Sequence, residues 1–403
     1  MPCNIQAIVA AKCAATCHAD PPVGAPTALT KQAYWQQMGN SDKTKKYFEL
    51  AKVRVNAASN AMPPSISPQL TADEKTALNA WLTAGAPAST ESCAPVAVAT
   101  PDGGTPVDPA SIDTTGLDCY KMLAHAQGDK KAKYPVGTAV DKYMFFGFQA
   151  PWQGTVYAKL IRPVIDNTRA LHHWLLYKEN VADGSIQETI GQHNGGELIH
   201  GWAPGGIAMD FRKHGDVSAE LPSTTYGLEL HYNSSDASAQ DASGVEVCVQ
   251  KTATKDIASM SWVGYDQGGV LSYASGICLE ADTSWTGTCK PTTNEPIHLI
   301  FMTPHLHQTG RHLKSVINGP NGSRVLHDQP FDFNYQTTYE TNEVLMPGES
   351  ITTTCTFSEP KCAGQSTSQE MCYLFTYAYP KHALKDNGSE GQLMHGEGVC
   401  LGQ

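Results

Sequence analysis

Little of this 403-residue chain is charged: Asp, Glu, Lys and Arg make up 17% of it, with 39 acidic residues against 28 basic ones. A formal net charge of −11 leaves no basic surface of the kind that nucleic acid or an anionic membrane needs, so neither is expected as a partner. No apolar run is long enough to span a bilayer. The opening Met1-Pro2-Cys3 shows no signal-peptide pattern and reads as a mature N-terminus. No repeat of short fixed period is visible, and no cysteine pair has the C-x-x-C spacing of a zinc site.

Cysteine itself is abundant. The twelve residues are dispersed and even in number, in a chain rich in Gly, Pro, Thr, Ser and Tyr. Dispersed cysteines in a β-rich composition imply disulfides and an oxidising compartment, so the protein is expected to be periplasmic or secreted.

Three blocks separate along the chain. Residues 1–88 are Ala-rich with helical periodicity in "NIQAIVAAKCAATCH", "SDKTKKYFELAKVRV" and "TADEKTALNAWLTAG". The last of these opens on Thr71 with Glu74 three residues on, a capping box, and closes at Gly85. Residues 89–116 are Pro, Gly, Ser, Thr and Asp without periodicity, and read as a linker. From residue 117 onward, short β-branched and aromatic runs follow one another: "GTVYAKLIRPV", "TTYGLELHYNS", "VEVCVQKT", "PIHLIFMTPHLHQ" and "CYLFTYAYP". They predict a mainly β fold of two tandem antiparallel β-sandwich, jelly-roll-like domains, 117–260 and 261–403, with the seam near "KDIASMSWVG".

Histidines mark the candidate chemistry. His305 and His307, in "TPHLHQTGR", share one face of an extended chain and can grip one ion without loop rearrangement; the plain alternative is a wet strand face. His172 and His173, in "LHHWLLY", are adjacent and point to opposite faces unless the strand bulges or twists. His231 lies in the alternating run "LELHYNS", and Met371 in "SQEMCYLF" reads alone as core filler. His193, His200, His214, His312 and His395 read as polar surface or as supporting residues.

Taken in order, "LHHWLLY", "LELHYNS", "PHLHQTGR" and "EMCYLFTYAYP" resemble the copper type II, ascorbate-dependent monooxygenases, the family of dopamine β-monooxygenase and peptidylglycine α-hydroxylating monooxygenase. "GWAPGG", ahead of His231, fits the same pattern, and the resemblance covers about residues 117–400. It implies two coppers per chain, one held by His172, His173 and His231 and the other by His305, His307 and Met371. Imidazole suits both oxidation states of copper, whereas the thioether favours Cu(I). The implied activity is hydroxylation of an activated C–H of a small molecule with O2. The Met-site copper meets O2, the other supplies the second electron, and an ascorbate-like reductant or a donor protein resets both. The resemblance also implies the bridges Cys355–Cys372, Cys119–Cys248 and Cys289–Cys400, leaving Cys278 with Cys362. Peptidylglycine enzymes place a carboxylate-binding arginine two residues before the H-x-H; Thr303 stands here, and Tyr373 and Phe375 replace further polar positions. A peptidylglycine substrate is therefore not expected, and dopamine has no support.

In the first block, "KCAATCHADPP" resembles a c-type haem attachment signature with one extra residue, C-x3-C-H. Cys13 and Cys17 would bond the haem, His18 would ligate its iron, and Met62 in "NAMPPS" would be the second axial ligand of a small cytochrome c-like domain. The alternative is a plain Cys13–Cys17 disulfide. Cys3 and Cys93 bracket the block and are placed to tie its ends. The expectation is thus a copper monooxygenase fed through a fused haem domain. The rivals are a non-catalytic copper- and haem-binding protein for electron transfer or assembly, and a glycan- or protein-binding sandwich with vestigial metal sites.

Overall fold

The computed structural model describes residues 1–14, 18, 27–39, 42–57, 62–63, 69–91, 93, 109–189, 196–265, 282–333, 336–364, 369–385 and 399–402. The linker expected at 89–116 lies largely outside them, as do Cys17, His193, Cys278 and His395.

In the first block the helices form where periodicity places them, at Cys3–Val9 (continued by a π-turn, Ala10–Ala14), Tyr47–Val55 and Ala72–Thr83. The Thr71 capping box closes in both directions: Glu74 N–H donates to Thr71 Oγ1 at 3.2 Å, and Thr71 N–H to the Glu74 carboxylate at 2.7 Å. Gly85, at φ +87°, takes the left-handed turn past the last helix that a Cβ would resist. The block buries its own core around Ile5, Leu29, Leu78 and Leu82, with Trp35 and Trp81 edge to face at 5.1 Å.

Beyond it the protein is mainly β. One five-stranded sheet runs, in spatial order, Ile186–Thr189, Ala139–Gln149, Thr225–Ser234, Leu171–Lys178 and Glu197–Trp202. Alternation assigns its two faces. Met144, Phe146, Phe148, Trp174, Leu176, Tyr226, Leu228, Leu230 and Tyr232 are buried in the larger core beneath the strands Asp118–Leu123, Gly244–Gln250 and Val156–Val164. The opposite face carries Tyr143, Phe145, His173, Leu175, Tyr177, Glu229 and His231, in line through the registers Glu229↔Leu175 and His231↔His173. A four-stranded sheet (Asp282–Cys289, Ser350–Lys361, Gly310–Gly319, Gly322–Pro330) builds the second core with Ile297–His305 and Tyr373–Tyr379.

The open sheets are consistent with β-sandwich architecture, and one of them runs through both halves. Asp256–Tyr265, the strand at the expected seam, pairs in parallel with Val217–Ala219 through Asp256–Ala258, then antiparallel with Tyr373–Ala378 through Ser259–Gly264. Its ten residues are long enough to leave one sheet's edge and enter another's, which fuses both halves into a ten-stranded sheet. Phe301 and Tyr377 from the second half complete the first core against Phe211. Lys381–Glu220 and Lys213–Glu340 ion pairs cross the same junction.

Disulfides join Cys3 to Cys93, Cys119 to Cys248, Cys289 to Cys400 and Cys355 to Cys372, the pairings anticipated above. Cys362 is also disulfide-bonded. These bridges suit an oxidising compartment, and among the described residues no helix is long and apolar enough to cross a membrane.

Candidate metal centres in a shared cavity

Adjacent histidines face opposite sides of a regular strand, yet His172 and His173 converge here. The register between Leu171–Lys178 and Thr225–Ser234 runs His231↔His173 and then Tyr232↔Leu171, so His172 is an extra residue bulged out of the ladder. The bulge turns both rings toward His231. His172 Nδ1 and His173 Nδ1 lie 3.0 Å apart, and one ring nitrogen from each of the three residues falls within 4.8 Å of the others. His231 Nε2 donates to Asp141 Oδ1 at 2.7 Å, while its Nδ1 is buried without a hydrogen-bond partner. A carboxylate that fixes one imidazole nitrogen as N–H presents the other as a lone pair, which is how metal-binding histidines are held. Asp141 adopts φ +51°, a left-handed conformation that non-glycine residues resist, and the contact with His231 is made from that strained position. Tyr143 stacks on the other side of His231 at 4.1 Å and 3°.

The second cluster forms where Ile297–His305 runs out beside Tyr373–Tyr379. His305 Nδ1 is bonded to Gln336 Oε1 at 2.8 Å, and His307 Nδ1 to the Gln369 carbonyl at 3.1 Å. With Nδ1 donating to these oxygens, Nε2 is the nitrogen that carries the lone pair in each ring. The rings stand perpendicular with centroids 5.3 Å apart, and buried Met371 lines the same wall.

His173 of the first cluster and His305, His307 and Met371 of the second line one cavity of about 120 Å³ at the junction of the halves. Trp202, Trp262, Phe333, Phe375 and Tyr377 supply most of its aromatic lining, Thr303 adds a hydroxyl, and Glu229, 2% exposed, brings a carboxylate. Phe333 sits between the clusters, its ring 5.0 Å from His172 and 6.3 Å from His307. His200, expected at the surface or in support, is fully enclosed, lines this cavity and packs edge-on against Trp174. His214 is likewise covered, against Phe301.

Burial first, then the charges of His231 and His305, push His172 down to about 3; burial, then His307, brings His305 down to about 4. His173 and His231 are lowered by the same desolvation, which Asp141 partly opposes at His231. The rings are therefore neutral at physiological pH, and their lone pairs are available to an ion.

In the helical block, His18 Nδ1 is bonded to the Thr27 carbonyl at 2.8 Å, and burial lowers the ring's pKa. Cys13 packs at the edge of the helical core, and Met62 N–H donates to the Arg54 carbonyl at 3.0 Å. With Cys17 outside the described residues, the thioether half of the expected haem motif is not on view.

Sequence reasoning missed Asp141, Tyr143, Glu229, Phe333, Gln336 and Glu370. All lie far along the chain from the histidines they serve, except Glu229 and Glu370, whose spacing from His231 and Met371 on the same segments was the available signal.

Imidazole and thioether groups beside an aromatic cavity are the donor types that suit a borderline-to-soft transition metal such as copper. Residues 268–394 match the family model of the copper type II ascorbate-dependent monooxygenase C-terminal domain. The chain is 26% identical over 249 residues to the putative DBH-like monooxygenase protein 2 of Homo sapiens, covering 55% of this chain and 49% of that protein. It is 25% identical over 274 residues to DBH-like monooxygenase protein 1 of Gallus gallus, covering 58% of this chain and 43% of that protein. The chain thus spans about half the length of the curated relatives it matches. Among solved structures, PNGase F, a glycosylasparaginase from Flavobacterium meningosepticum, is similar over 65% of this chain and 95% of its own, with TM-score 0.31 and 12% identity.

Proposed function

We propose that the protein is a two-copper monooxygenase. One ion is held by His172, His173 and His231 and the other by His305, His307 and Met371, and a small substrate is hydroxylated in the cavity they share. The observation that carries this reading is the junction cavity, lined by His173 of the first cluster and by His305, His307 and Met371 of the second, with hydrogen bonds that orient the rings of His231, His305 and His307. Copper at these sites supplies one-electron redox chemistry and O2 activation. The chain's own residues do the rest. Asp141, Gln336 and Gln369 fix which imidazole nitrogen faces inward. Trp202, Trp262, Phe375 and Tyr377 exclude water and hold an apolar substrate body by its faces. Glu229 offers a partner to a positively charged group, whereas Thr303 brings no positive charge to a carboxylate.

The helical block is the proposed haem domain, a finer part of the same reading. His18 and Met62 would ligate, and Cys13 and Cys17 would anchor, a haem c. His18 Nδ1, held by the Thr27 carbonyl, leaves Nε2 as the ligand atom. Haem c supplies one-electron transfer, which complements ascorbate or a donor protein as the source of electrons.

The test is metal analysis of the reconstituted protein, with O2 uptake driven by ascorbate and a pyridine haemochrome spectrum. Two coppers per chain and ascorbate-dependent O2 uptake support the reading. Fewer than two coppers after reconstitution refutes it, and two coppers without O2 uptake make this a non-catalytic copper protein. Absence of covalent haem refutes the haem assignment alone.

A further inference from the structure

Glu370 is completely buried, and among the described residues its carboxylate accepts from His307 and Met371 of the second cluster and from neighbouring Thr309. Oε2 accepts from the backbone N–H of His307 at 2.7 Å and of Met371 at 3.3 Å. Oε1 accepts from the N–H and the hydroxyl of Thr309, at 2.7 and 2.6 Å. The neighbouring residues work in the same direction: Gln369 gives its carbonyl to the His307 ring, and Met371 lines the cavity beside it. Three consecutive residues of one segment are thus addressed to the H-x-H turn of another, 61 to 63 positions away. Among the described residues, no lysine, arginine or histidine forms an ion pair with this carboxylate.

A buried carboxylate without a cation is costly unless its lone pairs are filled and a positive charge comes close. The donors fill the lone pairs. The proposed ligands, two imidazole nitrogens and a thioether, bring no fixed positive charge to the carboxylate. We propose that Glu370 is a positioning residue that locks the His305–His307 turn to Met371. Its negative charge also favours a monovalent cation on the three donors. This rests on the copper reading above. Gln is a poor replacement, because all four partners are donors and an amide turns its own N–H groups toward two of them.

The experiment uses the full chain carrying His172→Ala and His173→Ala, which empties the first cluster. Cu(I) alone is titrated against a chromophoric Cu(I) chelator, and the Cu–S contribution is read by X-ray absorption. In this background one Cu(I) with sulfur scattering is expected. Adding Glu370→Gln lowers Cu(I) affinity about 10- to 100-fold, the range for lost supporting hydrogen bonds, and weakens the sulfur signal, with the circular dichroism spectrum unchanged. Thr309→Val, which removes one donor and keeps the charge, lowers affinity less than tenfold and keeps the sulfur signal; it carries the test if the Gln variant does not fold. Unchanged affinity and sulfur signal in Glu370→Gln, or unchanged affinity in Thr309→Val where only that variant folds, overturns the proposal. If the His172→Ala, His173→Ala background takes up no Cu(I), the copper reading itself fails, and the role of Glu370 falls with it.

Discussion

Two of the disulfides close loops of very different length, and that difference makes a quantitative test of how the fold supports the site. Cys119–Cys248 closes 129 residues and Cys355–Cys372 closes 17. In the chain-entropy picture, removing the first costs about 5 kcal/mol and the second about 3 kcal/mol, a gap of about 2 kcal/mol set by the loop lengths alone. Cys248, Cys355 and Cys372 are fully buried, so replacing each pair with alanine adds a cavity penalty of similar size on both sides. The local consequences run the other way. Cys119 lies on Asp118–Leu123, the edge strand of the long sheet, remote from both histidine clusters. Cys372 follows Met371 directly and pins it to Ser350–Lys361. The assay pairs urea denaturation with copper analysis. Cys119→Ala with Cys248→Ala is expected to lose more stability and keep both coppers; Cys355→Ala with Cys372→Ala is expected to lose less stability but weaken the second copper. Equal stability losses, or copper loss confined to the first pair, would show that loop entropy and the anchoring of Met371 have been wrongly assigned.

Asp141→Gly removes the carboxylate on His231 and relaxes the left-handed backbone. Stability is expected to hold while copper affinity at the first cluster falls about 10- to 100-fold; a chelator titration beside a melting curve checks both. In Gly227→Ala, the new Cβ would lie 1.9 Å from Phe145 Cζ, a buried ring packed against Tyr177. A loss of about 1–3 kcal/mol is expected, restored in part by adding Phe145→Leu, with urea midpoints as the readout. His327 is brought down to about 4, by burial first and then by His312. The unfolded chain takes up a proton below about pH 6.5 that the folded ring refuses until about pH 4, so this contribution to stability is lost as pH falls through that window. His327→Gln should flatten the stability profile there by up to about 3 kcal/mol and leave it unchanged above pH 7. An unaltered acid limb would mean that His327 is already protonated in the fold.

Local structure and the identity of the donor atoms were legible along the chain. Strand runs such as "TTYGLELHYNS" and "CYLFTYAYP" became strands because alternation and β-branched or aromatic content are properties of adjacent residues, and Thr71–Glu74 capped its helix for the same reason. His172, His173 and His231 were legible as a set, and the structure gathers them. Only the tertiary structure decided how they meet. The bulge at His172 depends on its pairing with the His231 strand, a non-local register that no window of sequence contains. The continuous sheet through Asp256–Tyr265 joins the two halves, and His173 from one and His305, His307 and Met371 from the other line one cavity. Asp141, 90 positions before His231, and Glu370, 63 after His307, act through contacts made only once the chain has folded. Carboxylates are ordinary in a surface loop or beside a strand. What distinguishes these two is a left-handed backbone conformation in one and complete burial among four donors in the other, and both arise from packing between elements distant in the chain.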